Sequence, residues 1–229
     1  MRFQDAARDG RAVVYAAIQA DPLVARAAAA LADADHAERV LARAVMNGER
    51  TDPPAWRRMF PTLFAAASEV RRGRAERILA LSLEVADRGE QVRSQIRGAI
   101  VEALSATLLA RRGSAAAAAV RRERRILFDG VPAEIHPYDV TLEIVGAAEA
   151  WDCKWGARGI GPDVLHQLDD ARSHAVDEEE RLVVGLVVFD AELSCQVRLE
   201  RQTAPLADTR LVSLETLYLL ADGTSPETR

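Results

Sequence analysis

The chain has 229 residues, of which 49% are hydrophobic, and a formal net charge of −5 at neutral pH. This composition is enough for the core of one large domain or two small ones, and the negative total argues against a wholly basic nucleic-acid coat protein. The two cysteines, Cys153 and Cys195, give no disulfide framework. The sequence has neither an apolar run of membrane-spanning length nor a signal-peptide segment, so we expect a soluble cytoplasmic protein with no membrane partner.

The first half of the sequence has helical patterns. Asp21-Pro22 predicts a helix start, with the aspartate as N-cap and the proline in the first turn, and either Asp33 or Asp35 can cap the next helix. The longest predicted helix covers residues 90–112. Its apolar side chains recur every fourth position, at Val92, Ile96, Ile100, Leu104 and Leu108. We interpret residues 1–89 as an all-α N-terminal module that serves oligomerisation or partner binding.

Strand patterns begin after residue 120. They predict strands at residues 124–128, 138–145, 149–155, 181–189 and 211–213, with helices at 162–176 and 214–220. The turn dipeptide Asp129-Gly130 and the glycine at Gly146 connect the first three strands. Residues 90–229 are therefore predicted to form an α/β domain, a mixed sheet flanked by helices and preceded by the all-α module.

The chain contains a single lysine, Lys154, among thirty positively charged residues, and the others are all arginine. An Ala- and Arg-rich composition indicates GC-biased codons, under which arginine replaces lysine wherever a generic positive charge is enough. A lysine that persists offers a compact ammonium group that a planar guanidinium does not reproduce. We therefore expect Lys154 to have a chemical role.

Acidic residues surround this lysine in the predicted sheet. Asp152 and Lys154 are two apart on one strand and should project together, with Cys153 on the opposite face. Asp139, on the preceding strand, should approach Asp152 at one end of the hairpin. Two neighbouring carboxylates repel each other and favour a divalent cation, and Mg²⁺ prefers oxygen ligands. Asp139, Asp152 and the backbone carbonyl of Cys153 are the predicted ligands, with Lys154 supporting the attacking water.

These residues resemble the PD-(D/E)xK nuclease superfamily, in which an acidic residue on one strand precedes (D/E)-x-K on the next. Asp139 matches the first acid, and Asp152-Cys153-Lys154 matches the second part. The order helix, three strands, helix, strand is also that of the family's restriction-endonuclease-like core. Tyr138 stands where the family has proline, and Pro137 lies one place early.

The resemblance implies a Mg²⁺-dependent nuclease that hydrolyses DNA phosphodiester bonds. Mn²⁺ can substitute for Mg²⁺, and RNA remains an alternative substrate. Family members often carry a glutamate on the helix before the sheet, which implies that Glu102 is a catalytic residue that binds the metal directly or through water. They commonly act as dimers, which implies a homodimer or higher oligomer, and a role in defence against foreign DNA rests on the resemblance alone.

Several polar residues near the motif are candidates for nucleic-acid contact. Arg158 follows Lys154 in a glycine-rich loop and is the best single candidate for a phosphate clamp. Gln167, on the next helix, could contact the metal water or the DNA backbone. The densest positive patch can contact phosphates or can be a solvated strand edge, and both interpretations stay open for Arg121, Arg122, Arg124 and Arg125.

A second interpretation belongs to another functional class. The chain could be a catalytically silent, nuclease-like subunit that binds DNA or a partner protein. Cleavage of plasmid DNA in the presence of divalent metal would distinguish the two interpretations.

Overall fold

The computed structural model describes residues 1–6, 10–48, 52–132, 136–202 and 210–223. The chain divides into two compact units. The helical unit is Asp9–Leu104, and the sheet unit combines Met1–Arg8 with Ser105–Arg229. The sequence had suggested a boundary before residue 90, whereas the division between the units falls within one long helix.

The described part of the helical unit is built from helices alone. Their bounds are α1 Gly10–Gln19, α2 Pro22–Ala32, α3 His36–Asn47, α4 Pro53–Met59, α5 Pro61–Phe64, α6 Glu69–Ala86 and α7 Glu90–Ala110, the last of which continues into the sheet unit. Asp21 caps α2 by accepting a hydrogen bond from the Leu23 N–H, and Asp35 forms a capping box with Glu38 on α3. The predicted cap at Asp21 is therefore confirmed, and Asp35 caps the next helix.

The sheet unit contains a mixed sheet of seven strands among the described residues, in the order β1-β2-β4-β5-β6-β7, with β3 paired to β2. The strands are β1 Arg2–Asp5, β2 Val120–Phe128, β3 Val131–Pro132, β4 Tyr138–Ile144, β5 Ala147–Lys154, β6 Leu182–Val188 and β7 Arg210–Val212. The pairs from β1 to β5 are antiparallel, whereas β5, β6 and β7 run parallel. The predicted α/β class with a mixed sheet and flanking helices is confirmed.

Helices accompany these strands in the sheet unit. They are α8 Ser114–Ala119, the 3₁₀ helix η1 Ala157–Gly159, α9 Pro162–Asp177, α10 Glu192–Glu200 and α11 Leu219–Asp222. The strands and the helix predicted between residues 124 and 189 are present within a few residues of their expected ends. The sequence did not reveal β1 or α10, and the predicted helix at 214–220 is mostly turn before α11.

The core of the sheet unit lies between the strands and α9. Its buried residues include Tyr138, Ala150, Leu165, Leu168, Val184 and Leu186. Gly185 on β6 is required by packing, because a Cβ there would lie 2.5 Å from the Trp151 ring and 2.7 Å from the Arg210 carbonyl oxygen. The tight contact holds β5, β6 and β7 together beside the candidate site.

The described residues include no helix that combines the length and the apolar character needed to cross a bilayer.

Candidate active site

The β4–β5 hairpin brings Asp139 to the carboxyl end of β5. The hairpin turns at Gly146, which has a positive φ of 78°, and Val140 of β4 faces Trp151 of β5. Asp139 lies one residue before Val140, so it sits beside the last residues of β5. Its Oδ2 accepts a hydrogen bond of 2.6 Å from the Cys153 N–H.

Asp152 and Lys154 form an ion pair at the end of β5. Lys154 Nζ donates to Asp152 Oδ1 over 2.5 Å, and the side chains are 27% and 10% exposed. The prediction that these two side chains project together is confirmed. The pair is partly shielded from water, which strengthens the interaction between the two charges.

The charge on Lys154 depends on both aspartates. Burial by itself lowers the pKa of Lys154, but the negative charges of Asp152 and Asp139, with the hydrogen bond to Asp152, outweigh it and raise the pKa above the ordinary value of 10.5. Lys154 is therefore an ammonium at neutral pH, which suits it to stabilise negative charge and not to act as a base. Two hydrogen bonds place these residues together at the end of β5, one from Lys154 to Asp152 and one from the Cys153 N–H to Asp139.

Cys153 faces away from this cluster. Its Sγ lies 3.5 Å from Ser105 Oγ on α7, as the alternation of side chains along a strand predicts. Cys153 is paired with Val187 of β6. The role of the Cys153 carbonyl as a metal ligand stays a prediction.

Asp139 and Asp152 are the residues of this cluster that could hold a metal ion. Across the parts of the chain that the structure describes, no three histidine, cysteine, aspartate or glutamate side chains are grouped so as to hold a metal ion. Asp139 and Asp152 offer carboxylate oxygens only, and Mg²⁺ accepts one or two carboxylates while it keeps several waters. Carboxylates are ligands for Mg²⁺ or Mn²⁺, whereas softer metals prefer imidazole or thiolate. A metal ion at this cluster stays a prediction.

Glu102, the third predicted acid, belongs to the helical unit. Its side chain, on α7, accepts hydrogen bonds from Tyr15 Oη at 2.5 Å and Gln19 Nε2 at 2.8 Å. The residue is 3% exposed, and these donors from α1 compensate for the burial of a carboxylate. The role of Glu102 at a metal stays a prediction.

Asp190 is an acidic residue that the sequence analysis missed. It lies two residues after the end of β6, is 7% exposed, and accepts hydrogen bonds from the Ala157 N–H at 3.0 Å and the Ala191 N–H at 2.8 Å. Since β5 and β6 are parallel and Lys154 pairs with Val188, Asp190 lies beyond the same end of the sheet as Lys154. An aspartate just after an apolar strand could have indicated this position, because sites in parallel sheets lie at the carboxyl ends of the strands.

Gln167 is held inside the sheet unit. Its amide oxygen accepts from the His136 N–H at 3.3 Å, and its amide nitrogen donates to the His136 carbonyl at 3.1 Å. The residue is 4% exposed. These contacts fasten α9 to the segment that leads into Asp139, and the predicted contact with nucleic acid stays a prediction.

The candidate arginines differ in their surroundings. Arg158, Arg121 and Arg122 are exposed, whereas Arg125 is half-buried. Arg124 bonds to Glu143 at 2.8 Å and to Asp5, and these bonds, chiefly the one to Glu143, raise the pKa of Arg124. Arg124 therefore has a structural role in joining β1, β2 and β4, and any contact of the arginines with nucleic acid stays a prediction.

Comparison of the chain with protein-family models, curated proteins and solved structures finds no match.

Proposed function

We propose that the protein is a Mg²⁺-dependent nuclease that hydrolyses DNA phosphodiester bonds, with a restriction-endonuclease-like sheet unit. The observation that carries the proposal is the cluster of Asp139, Asp152 and Lys154 at the end of a β-hairpin. The order α7, three antiparallel strands, α9 and the parallel strand β6 also agrees with the core of the PD-(D/E)xK superfamily.

Asp139 and Asp152 would hold the cation. A bound Mg²⁺ supplies acidification of a water molecule and neutralisation of phosphate charge. The ammonium of Lys154 stays protonated and donates hydrogen bonds to the attacking water and to the phosphate oxygens as their negative charge increases. The hydrogen bond from Cys153 N–H to Asp139 fixes one carboxylate against the backbone.

Exposed arginines supply the contacts to the nucleic-acid backbone in this proposal. Arg158 follows Lys154 on η1, and Arg121 and Arg122 are exposed on β2. Guanidinium groups bind phosphates in a bidentate manner without sequence preference. The proposal therefore includes DNA as the partner, with RNA as an alternative.

Two active sites are needed to cut both strands of a duplex, so we propose a homodimer or higher oligomer in the cytoplasm. The helical unit is the proposed contact region. Val13 and Val14 on α1 and Val70 on α6 are exposed apolar side chains that suit such a contact. Light scattering of the full chain and of a variant with polar residues at these positions tests this part.

Plasmid cleavage tests the activity. The wild-type chain should nick or linearise plasmid with Mg²⁺ or Mn²⁺ and leave it intact with EDTA. Asp152→Asn and Lys154→Ala should reduce the rate by on the order of 10²-fold or more, as loss of a charged transition-state contact does. Lys154→Arg should not restore the rate, because a guanidinium does not replace the compact ammonium.

Asp163→Asn is the matched control, since Asp163 is an exposed aspartate in the first turn of α9. It should cleave at the wild-type rate. Intact plasmid with the wild-type chain under every metal condition would overturn the proposed activity.

A catalytically silent, nuclease-like subunit is the second candidate. The observation in its favour is that Lys154 and Asp152 neutralise each other, while the described residues show no three-carboxylate group. Isothermal titration with Mn²⁺ distinguishes the candidates. The nuclease proposal predicts binding that Asp152→Asn weakens, whereas a silent subunit shows DNA binding in a gel-shift assay without metal uptake.

A further inference from the structure

Asp190 is held by backbone hydrogen bonds just after the carboxyl end of β6. Its backbone N–H donates to the Val188 carbonyl at 2.8 Å, and its own carbonyl accepts from the Leu214 N–H at 3.0 Å. Its carboxylate accepts from the N–H groups of Ala157 and Ala191. Asp190 therefore links the ends of β6 and β7 to the segment that follows β5.

Burial of this carboxylate would be costly without those donors. The Ala157 N–H belongs to the first residue of η1, so the hydrogen bond of 3.0 Å fixes the start of this short helix. The helix is closed by the bond from Gly159 N–H to the Gly156 carbonyl at 2.9 Å. The position of Gly159 thus follows from the position of Ala157, and the position of Ala157 depends on Asp190.

Gly159 packs against the Lys154 side chain. A Cβ built on Gly159 would lie 3.0 Å from Cδ and 3.1 Å from Cβ and Cγ of Lys154. The Lys154 carbonyl is held separately by the Phe189 N–H at 2.8 Å. The aliphatic part of Lys154 is therefore confined between its own strand and η1, and this confinement directs the ammonium towards Asp152.

We propose that Asp190 is a positioning residue that, through η1, holds the Lys154 side chain against Asp152. The catalytic meaning of this role rests on the proposed nuclease function. The structural part does not, because the orientation of Lys154 can be measured in the absence of any reaction.

The single lysine of the chain makes the measurement direct. Isotope-labelled lysine gives one side-chain NMR signal at fixed pH, which reports the surroundings of Lys154. In Asp190→Ala the Lys154 signal should move towards that of a solvated lysine. Hydrogen exchange of the Ala157 amide should become faster in the same variant.

Asp190→Asn should be intermediate. Its amide oxygen can still accept the Ala157 N–H, but its NH₂ group then faces the Ala191 N–H as a second donor. The Lys154 signal of this variant should therefore lie between the signals of the wild type and of Asp190→Ala. A Lys154 signal unchanged from wild type in folded Asp190→Ala would overturn the proposal.

Gly159→Ala keeps the proposal testable if Asp190→Ala does not fold. The added methyl group should displace the Lys154 stem and move its signal, while Gly161→Ala has open space and should leave the signal unchanged. Neither glycine has a positive φ, so backbone strain does not confuse the comparison. If the Lys154 signal is the same as in the wild type in both glycine variants, η1 does not position Lys154.

Cleavage assays then separate the two proposals. If the wild-type chain is a nuclease, Asp190→Ala should lower kcat by up to about 100-fold, as misplacement of a catalytic group does, with KM little changed. If the wild-type chain cuts nothing but the Lys154 signal moves as expected, the nuclease function fails and the positioning role stands. If Asp190→Ala has the wild-type kcat and an unshifted Lys154 signal, the positioning role is wrong and the nuclease proposal stands.

Discussion

Lys154 Nζ lies 2.5 Å from Asp152 Oδ1, across two positions of the same strand. Burial lowers the pKa of Lys154, yet the charges of Asp152 and Asp139 raise it above 10.5. A basic group with a raised pKa in the folded state stabilises the fold fully below its unfolded pKa. That contribution is lost as the pH rises through the folded-state pKa.

Lys154→Met should therefore reduce the free energy of unfolding by an amount that stays constant from about pH 7 to about pH 9 and shrinks above about pH 10.5. Urea denaturation of both proteins across this range measures the difference. A difference that grows in alkaline solution would contradict the sign of the pKa shift.

Gln167→Ala should loosen the segment that leads into Asp139. Gln167 makes two hydrogen bonds to the backbone of His136 from a buried position. Their loss should cost about 1–3 kcal/mol, and hydrogen exchange of the His136 amide should become faster. Gln196→Ala is the control, because the described bond of Gln196 is an exposed one to Glu192, and it should change stability by less than about 0.5 kcal/mol.

Gly185→Ala should destabilise the sheet unit. The added methyl group would meet the Trp151 ring at 2.5 Å and the Arg210 carbonyl at 2.7 Å, and overpacking of this kind costs about 1–3 kcal/mol. Thermal unfolding with tryptophan fluorescence measures the effect. Gly161→Ala should leave the midpoint near its wild-type value, since no atom lies within 4 Å of the new methyl group.

Arg74→Met should destabilise the helical unit more than any change of an exposed ion pair. Arg74 Nε lies 2.7 Å from Oε2 of Glu38, which is fully buried, so the variant leaves a carboxylate inside the unit without its cation. The expected loss is about 3–5 kcal/mol. Arg26→Met breaks the exposed pair with Glu84 and should cost at most about 1 kcal/mol. Equal losses in urea denaturation would contradict this assignment.

Local patterns predicted the hairpin from β4 to β5, the apolar strand β6 and the projection of Asp152 and Lys154 to the same side of their strand. Each of these depends on side-chain alternation, an apolar run or a turn residue within a few positions. The cap at Asp21 was predicted for the same reason, because a cap bonds only to its own first turn, and Asp35 was one of two candidates for the next helix. The predicted proximity of Asp139 to β5 followed from the short turn that joins their strands.

Features that depend on distant residues were not found. β1 pairs with β2 across more than a hundred residues, and the run of arginines and glutamate at the start of β2 shows no alternation that would indicate a strand. The hydrogen bonds between the Gln167 amide and His136 join residues thirty-one positions apart. The buried role of Asp190 depends on Ala157 in another loop.

The sequence by itself determined the α/β class of the second half, the helical character of the first, and the pairing of an acid with the single lysine on one strand. Only the tertiary structure decided which strands pair, which polar groups are buried, and that η1, bound by Asp190, lies against Lys154. The physical reason is that periodicity records which face of an element is buried, whereas the partner that covers this face is selected by packing of the whole unit.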